Sequence, residues 1–386
     1  MKNKEIPKGV RDLLPDEVKV KRNIEQKAAE VFSSYGYQEV ITPTFEFLEV
    51  MEQGRGKDNR EELFLFMDRE GGILSLRPEM TVSIARLAAT HLKDVEYPQR
   101  LFYIGNVFRH VQPHLAQYRE FWELGVELLG AATPLADAEV INIAVKVLKE
   151  FGLKDFKVSL NHVEIFNSLL EESGLSADEK QLIRHLVVIK DLVELSNVLE
   201  KLSINEELKE TIGMLPILHG GLEILEKVPY IQKNQKASKA VQELINVYEA
   251  LKAFGVEDNI VLDMGVLRGL DYYTGIVFEG YSPELGYGLL GGGRYDNLLE
   301  QFGFSCPATG FALGIDRLAL ILDKNGSEPK YYLVAGQDIN LVVTKAEELR
   351  QKGYNVQIDV EGRSVEELEK IATAKNNCTL VYVDKD

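Results

Sequence analysis

From Tyr118 to Leu129 the chain alternates between two chemistries. Trp122, Leu124, Val126 and Leu128 fall on one side of a strand, and Glu123, Gly125 and Glu127 on the other. Such a strand belongs in a sheet with one face under apolar cover and the other open. On the open face two carboxylates flank a residue with no side chain. That lets a ligand come close to the sheet and offers paired acceptors for an ammonium or imidazolium group. A solvated sheet face would show the same alternation, so this segment alone leaves both readings standing.

The neighbouring segments set the kind of sheet. After Pro15 and Asp16, the latter a candidate N-cap, Ile24, Ala28, Val31 and Phe32 recur at helical spacing until Gly36. Glu39–Ile41, Glu62–Met67, Ile73–Leu76 and Arg100–Phe108 read as extended, and Ala138–Phe151 as helix. Strands thus cluster without strict β-α-β alternation, which predicts an α+β fold with an antiparallel sheet. Residues 168–254 are rich in Leu, Glu and Lys, with a break at Gly220-Gly221, and are expected to be a helical insertion. Strand character returns from Asn259 through Ile276–Phe278 and Leu289-Leu290, and helix at Asp296–Phe302 and Ile315–Leu322. The polar run Asp323–Lys330 reads as a linker between a core of residues 1–325 and a small α/β domain of residues 331–386, patterned β-α-β-α-β.

Charge and composition narrow the function. The 44 Lys and Arg residues against 61 Asp and Glu leave a net charge of −17, a field that repels phosphate backbones and argues against nucleic acid as a partner. Cys306 and Cys378 stand far apart, without ligand-type neighbours, so no disulfide or zinc site is expected. His110 and His114 have i, i+4 spacing but lack the glutamate that a helical metal motif would add, so no metal is expected. The polar N-terminus and the lack of a long apolar run predict no export and no membrane span, hence a cytoplasmic protein.

Three further stretches carry candidate chemistry. Leu76-Arg77-Pro78-Glu79-Met80-Thr81 ends a strand and starts a helix at Thr81; it reads equally as a capped turn or as a site. Leu267-Arg268-Gly269-Leu270-Asp271-Tyr272-Tyr273-Thr274-Gly275 packs a guanidinium, two phenols and two glycines into nine residues, a density suited to small-ligand recognition. Gly286-Tyr287-Gly288-Leu289-Leu290-Gly291 matches G-x-G-x-x-G but lies between two strands, so a dinucleotide fingerprint is rejected. Its continuation, Gly291-Gly292-Gly293-Arg294-Tyr295-Asp296, marks a close backbone approach to a ligand or a strand.

Over Lys8–Leu322 these segments together resemble the class II synthetase core of the histidyl-tRNA synthetase family. Glu39–Glu46 around Pro43 resembles the first class II signature, a dimer-interface element. Phe108-Arg109 through Tyr118-Arg119-Glu120-Phe121 resembles the second, and Gly310–Arg317 the third. Arg268–Tyr273 and Gly291–Asp296 match stretches peculiar to the histidine-specific branch. The resemblance implies an antiparallel sheet of six or seven strands flanked by helices, and a homodimer. It also implies a histidine-binding set in which Glu79, Thr81, Glu127, Tyr272 and Tyr273 surround the amino acid. Arg268 would meet its carboxylate, Arg109 is retained from the second signature, and Glu123 stands where the family has glutamine.

The nucleotide side departs from the family pattern. Val111 replaces a glutamate used on adenine, and Gln117 an arginine used on phosphate, while Arg109 and Arg317 remain. At roughly 1.5–3 kcal/mol for each lost charged hydrogen bond, productive ATP binding is expected to fail. The segment after residue 330 resembles part of an anticodon-binding domain, and its acidic residues outnumber its basic ones. The whole resembles the synthetase-like family of regulatory subunits of the short-form ATP phosphoribosyltransferase. That implies a non-catalytic chain, without a cofactor, that binds histidine for feedback control of the first step of histidine biosynthesis. It would act as a homodimer inside a hetero-oligomer with the catalytic subunit. A divergent, active histidyl-tRNA synthetase and a stand-alone histidine sensor are the alternatives.

Overall fold

The computed structural model describes residues 4–55, 57–112, 117–267, 272–322, 331–375 and 377–384. Contacts divide the chain into two compact units, residues 1–322 and 323–386.

The first unit is built on strands β1 (Gln38–Glu39), β2 (Phe45–Phe47), β3 (Leu65–Met67), β4 (Ile73–Leu76), β5 (Gln99–Phe108), β6 (Glu120–Leu129), β7 (Lys157–His162), β8 (His219–Gly220), β9 (Ile260–Asp263), β10 (Ile276–Tyr281), β11 (Gly288–Arg294) and β12 (Ala308–Gly314). Its helices are α1 (Pro15–Ser34), α2 (Leu48–Arg55), α3 (Thr81–Leu87), α4 (Pro134–Glu150), α5 (Val163–Glu172), α6 (Ala177–Val188), α7 (Leu192–Lys201), α8 (Glu206–Met214), α9 (Gln235–Ala253) and α10 (Ile315–Ile321).

Nine strands form the main sheet in the order β1-β5-β6-β12-β11-β10-β7-β9-β8. The six from β5 to β7 in that order pair antiparallel, as the clustered strands predict. The sheet is nevertheless wider than expected and mixed, because β1 joins β5 and β9 joins β7 in parallel. Parallel neighbours need a long crossover, and the helical stretch between β7 and β9 supplies one. That stretch contains α5–α9, and the expected boundary at residue 168 falls inside α5.

Leu124, Val126 and Leu128 enter the main core, which also takes Ile24, Phe32, Ile141 and Leu148 from α1 and α4. A second apolar cluster on the other side holds Met80, Val82, Ile84, Leu101 and Tyr103. Asp16 is not the cap of α1: the helix begins at Pro15, and the Glu17 carboxylate accepts the backbone N–H of Leu14 at 3.0 Å. Proline is pre-set for the first helical position, which moves the boundary one residue upstream. Residues 57–62, partly read as strand, are a 3-10 turn before β3.

The second unit holds strands β13 (Tyr331–Gly336), β14 (Asn355–Ile358) and β15 (Cys378–Val383) and helices α11 (Ile339–Gln351) and α12 (Val365–Ala374). β13 lies in the centre and pairs in parallel with both others. Its period-two pattern sends Val334 toward Val342, Ala346 and Leu349 of α11, and Leu333 and Ala335 toward Leu368 of α12.

Candidate functional site: an acidic cavity on the open face of the sheet

Register explains why a cavity forms where it does. Across β5, β6, β12 and β11 the residues on one face are paired as Tyr103 with Gly125, Gly105 with Glu123, Gly310 with Glu127, Ala312 with Gly125, and Gly291 with Ala312. Small side chains thus pave this face, and a cavity of about 260 Å³ opens above them. The tiling is tight. A Cβ on Gly125 would lie 2.0 Å from the Phe311 carbonyl oxygen and 2.6 Å from the Tyr103 hydroxyl, and one on Gly310 would lie 1.8 Å from a Glu127 carboxylate oxygen and 2.5 Å from the Val126 carbonyl oxygen.

Glu79, Thr81, Arg109, Glu123, Glu127, Tyr272 and Tyr273, drawn from four separate stretches of sequence, all line this one cavity. Arg268 lies outside the described residues, as does His114. Glu79 is both cap and wall, since its carboxylate accepts the backbone N–H of Thr81 at 3.1 Å and of Val82 at 3.0 Å at the start of α3. The hydroxyl of Thr81 then donates to Glu127 at 2.8 Å, and the Tyr295 hydroxyl donates to the other oxygen of the same carboxylate. Burial pushes the Glu127 carboxyl up to about 8. The two hydrogen bonds oppose that rise, and the charge of Glu79 adds to it.

Arg109 donates through Nε to the Pro78 carbonyl at 2.8 Å, lies 3.6 Å from Glu123 and covers the ring of Phe121. Arg317 donates to the Gly288 carbonyl at 2.6 Å. Asp316 accepts the backbone N–H of Trp122 at 2.7 Å and pairs with Arg11, so the start of α10 is tied to β6. Val111 and Gln117 line the same cavity. Among the described lining residues the ionisable acidic side chains are Glu62, Glu79, Glu123, Glu127, Glu279 and Asp316, of which Glu127 is held toward its protonated form, against the guanidiniums of Arg109 and Arg317. That balance suits an ammonium or imidazole ligand and opposes a polyphosphate.

Tyr103, Glu279 and Tyr295 are cavity residues that sequence reading did not single out. Tyr295 stood in the glycine-rich stretch without a role. Tyr103 and Glu279 reach the cavity through strand register, which no local pattern encodes. Among the described residues no group of three or more Asp, Glu, His or Cys side chains could hold a metal ion. No described helix is long and apolar enough to cross a membrane.

A helix-backed antiparallel sheet with an amino-acid-sized acidic cavity on its open face, closed by the segment from β12 into α10, is a class II synthetase core. The family model described as histidyl-tRNA synthetase matches residues 9–318, and the chain belongs to that family. Within it the chain groups with the ATP phosphoribosyltransferase regulatory subunits. The regulatory subunit of Moorella thermoacetica is 43% identical over 96% of both chains. The histidine–tRNA ligase of Methanocaldococcus jannaschii is 39% identical over 93% of this chain and 86% of its own length. A crystal structure from Bacillus halodurans, titled ATP phosphoribosyltransferase regulatory subunit/histidyl-tRNA synthetase, is 33% identical and superposes with a TM-score of 0.89 over 100% of this chain and 99% of its own.

Proposed function

We propose that the chain is the non-catalytic regulatory subunit of a short-form ATP phosphoribosyltransferase and reports histidine level to the catalytic subunit through the acidic cavity. The observation that carries this reading is an asymmetry within one cavity. On the amino-acid side, Glu79, Thr81, Glu127 and Tyr295 form a continuous hydrogen-bonded array. On the side where the family handles nucleotide, the Val111 side chain offers no polar atom and that of Gln117 no charge. A ligand with an amine and an imidazole finds carboxylates there, whereas ATP meets six acidic groups and two guanidiniums. Histidine would act by binding one conformational state of the complex more tightly than another, which is the only way a ligand can move such an equilibrium.

The reading extends to assembly. Ile41, Phe45, Phe47 and Met67, on and around the small sheet β2-β4-β3, are 82%, 51%, 56% and 73% exposed. Apolar groups gathered in that way mark a protein contact, and the occupant proposed is a second copy of this chain, within a cytoplasmic hetero-oligomer. The unit of residues 331–386 resembles part of an anticodon-binding domain, and its acidic residues outnumber its basic ones, which makes it a poor surface for RNA.

Histidine-dependent ATP–pyrophosphate exchange by the purified chain, run beside a calorimetric titration with histidine, is the decisive test. Histidine binding without exchange is the expected result. Robust exchange would instead make the chain a working histidyl-tRNA synthetase, and no histidine binding would remove the sensing role.

A further inference from the structure

The second unit leaves one edge of its sheet unguarded. β13 stands between β14 and β15, so each outer strand has a partner on one side only among the described residues. Which backbone groups face outward follows from the ladder. Tyr331 pairs with Cys378, and its N–H donates to the Asn377 carbonyl at 3.0 Å. In a parallel ladder alternate residues serve one neighbour. Thr379, Val381 and Val383 therefore bond β13, and the N–H and C=O groups of Leu380 and Tyr382 point away from it.

The two edges differ in chemistry. β14 is four residues long and shows exposed Asn355 and Gln357, and its outward Val356 carbonyl already accepts from Arg350 at 3.2 Å. β15 is six residues, Cys-Thr-Leu-Val-Tyr-Val, with no charge, proline or glycine, and it pairs with β13 without a bulge. Charges, prolines and bulges are what keep natural sheet edges from pairing, and β15 has none of them. Among the described residues nothing bonds the outward groups of Leu380 and Tyr382. Leu380 beside α12, and Val381 and Val383 beside α11, also stay half-buried at this rim. A strand added here gains apolar cover on both faces as well as a ladder.

Charge chooses the occupant. Lys375 precedes β15 and Asp384 follows it. Two copies of the strand laid antiparallel about a two-fold axis bring the lysine end of each to the aspartate end of the other, whereas parallel copies would set like against like. The outward groups match as well: with Val381 opposite its own copy, Leu380 of one strand faces Tyr382 of the other, and both are outward-bonding positions. We propose that β15 is a self-association edge, which pairs antiparallel with β15 of a second copy of this chain and joins two three-stranded sheets into one continuous sheet. The contact is independent of the cavity and of the contact at β2-β4-β3. Being isologous, it doubles whatever species the chain forms without it.

The test uses the full chain. Tyr382→Pro removes one outward N–H and leaves the bonds of Val381 and Val383 to β13 in place. Sedimentation velocity at rising protein concentration gives the mass, and a melting curve reports folding. At the top of the range the wild type should reach about twice the mass of Y382P, whatever the contact at β2-β4-β3 contributes to both. A second measurement needs no proline. In Val381→Cys, made together with Cys378→Ser so that only buried Cys306 remains beside it, the two thiols meet across the two-fold axis. The Cα separation there is about 4.5 Å, within reach of a disulfide. Mild oxidation should give a covalent dimer on a non-reducing gel, and Gln357→Cys on the other edge, in the same background, should not. A folded Y382P with the wild-type mass, or Val381→Cys cross-linking no faster than Gln357→Cys, would overturn the proposal and leave the edge to a strand of a different protein. If Y382P fails to fold, the cross-linking comparison alone decides.

Discussion

The hydroxyl of Thr81, the first residue of α3, and the carboxylate of Glu127, near the end of β6, meet at 2.8 Å across 46 residues of sequence. This bond ties the helix start to the sheet. Because Glu79 in turn accepts the N–H groups at the start of α3, the acidic cavity and one helix cap share the same side chains.

Glu127 should make the empty protein pH-sensitive. Its carboxyl is raised from 4.5 to about 8, chiefly by burial. A carboxyl raised on folding contributes stability while it is protonated. That contribution is complete below the unfolded value and is lost as pH climbs through the folded one. Urea midpoints followed from about pH 5 to about pH 9 should therefore fall more steeply for the wild type than for Glu127→Gln. Parallel curves would show that Glu127 ionises as it does in water.

Gly125 should tolerate no side chain. The Cβ of Gly125→Ala would sit 2.0 Å from the Phe311 carbonyl oxygen and 2.6 Å from the Tyr103 hydroxyl, so β6 and β12 must part or the ring must turn. Overpacking of this kind costs about 1–3 kcal/mol, and here the loss should lie at the upper end because one neighbour is backbone. Chemical denaturation of the two proteins measures it; a loss below about 0.5 kcal/mol would mean that the sheet yields easily.

Restoring charge on the nucleotide side should restore affinity. Val111→Glu with Gln117→Arg returns an acceptor for adenine and a cation for phosphate, each worth about tenfold to a hundredfold in ATP affinity if it forms its bond. Titration of ATP into the double variant should give a dissociation constant lowered by at least about tenfold. No change would show that these two positions are not what limits nucleotide binding.

Asp137 should be indispensable to the core. Its carboxylate lies 3.0 Å from Arg294, which also reaches Asp296 at 3.0 Å and the Ala131 carbonyl at 3.1 Å, and both Asp137 and Arg294 are buried. Removing one partner of a buried pair strands the other charge and costs about 3–5 kcal/mol. Asp137→Ala should accordingly lower the melting temperature by many degrees, whereas loss of the exposed Lys19–Asp16 pair should leave it nearly unchanged.

Much of the fold was legible because period and chemistry agreed. In β6 the alternation of Leu124, Val126 and Leu128 with Glu123, Gly125 and Glu127 foretold both the buried face and the cavity face. The starts of α3 at Thr81 and of β13 at Tyr331 were equally plain, while the expected linker at 323–330 lies outside the described residues. What escaped was non-local. The parallel partners β1 and β9 are two and four residues long, too short to show a period, and their pairing is set by what lies between them and their neighbours. Tyr103 and Glu279 enter the cavity through register with Gly125 and Gly291, a relation between strands that a single strand cannot announce.

The main sheet keeps its two faces under separate ownership. Bulky side chains on one face, Leu124, Val126 and Leu128 among them, hold the molecule together. The residues that change the chemistry, such as Val111 and Gln117, sit at the rim of the other. Substitution at that rim spends none of the cohesion beneath it. On the function proposed above, a catalyst built this way is retired from its reaction without being unmade, and what is left is a gauge: a vessel that still fills with the old substrate and has only to pass on whether it is full.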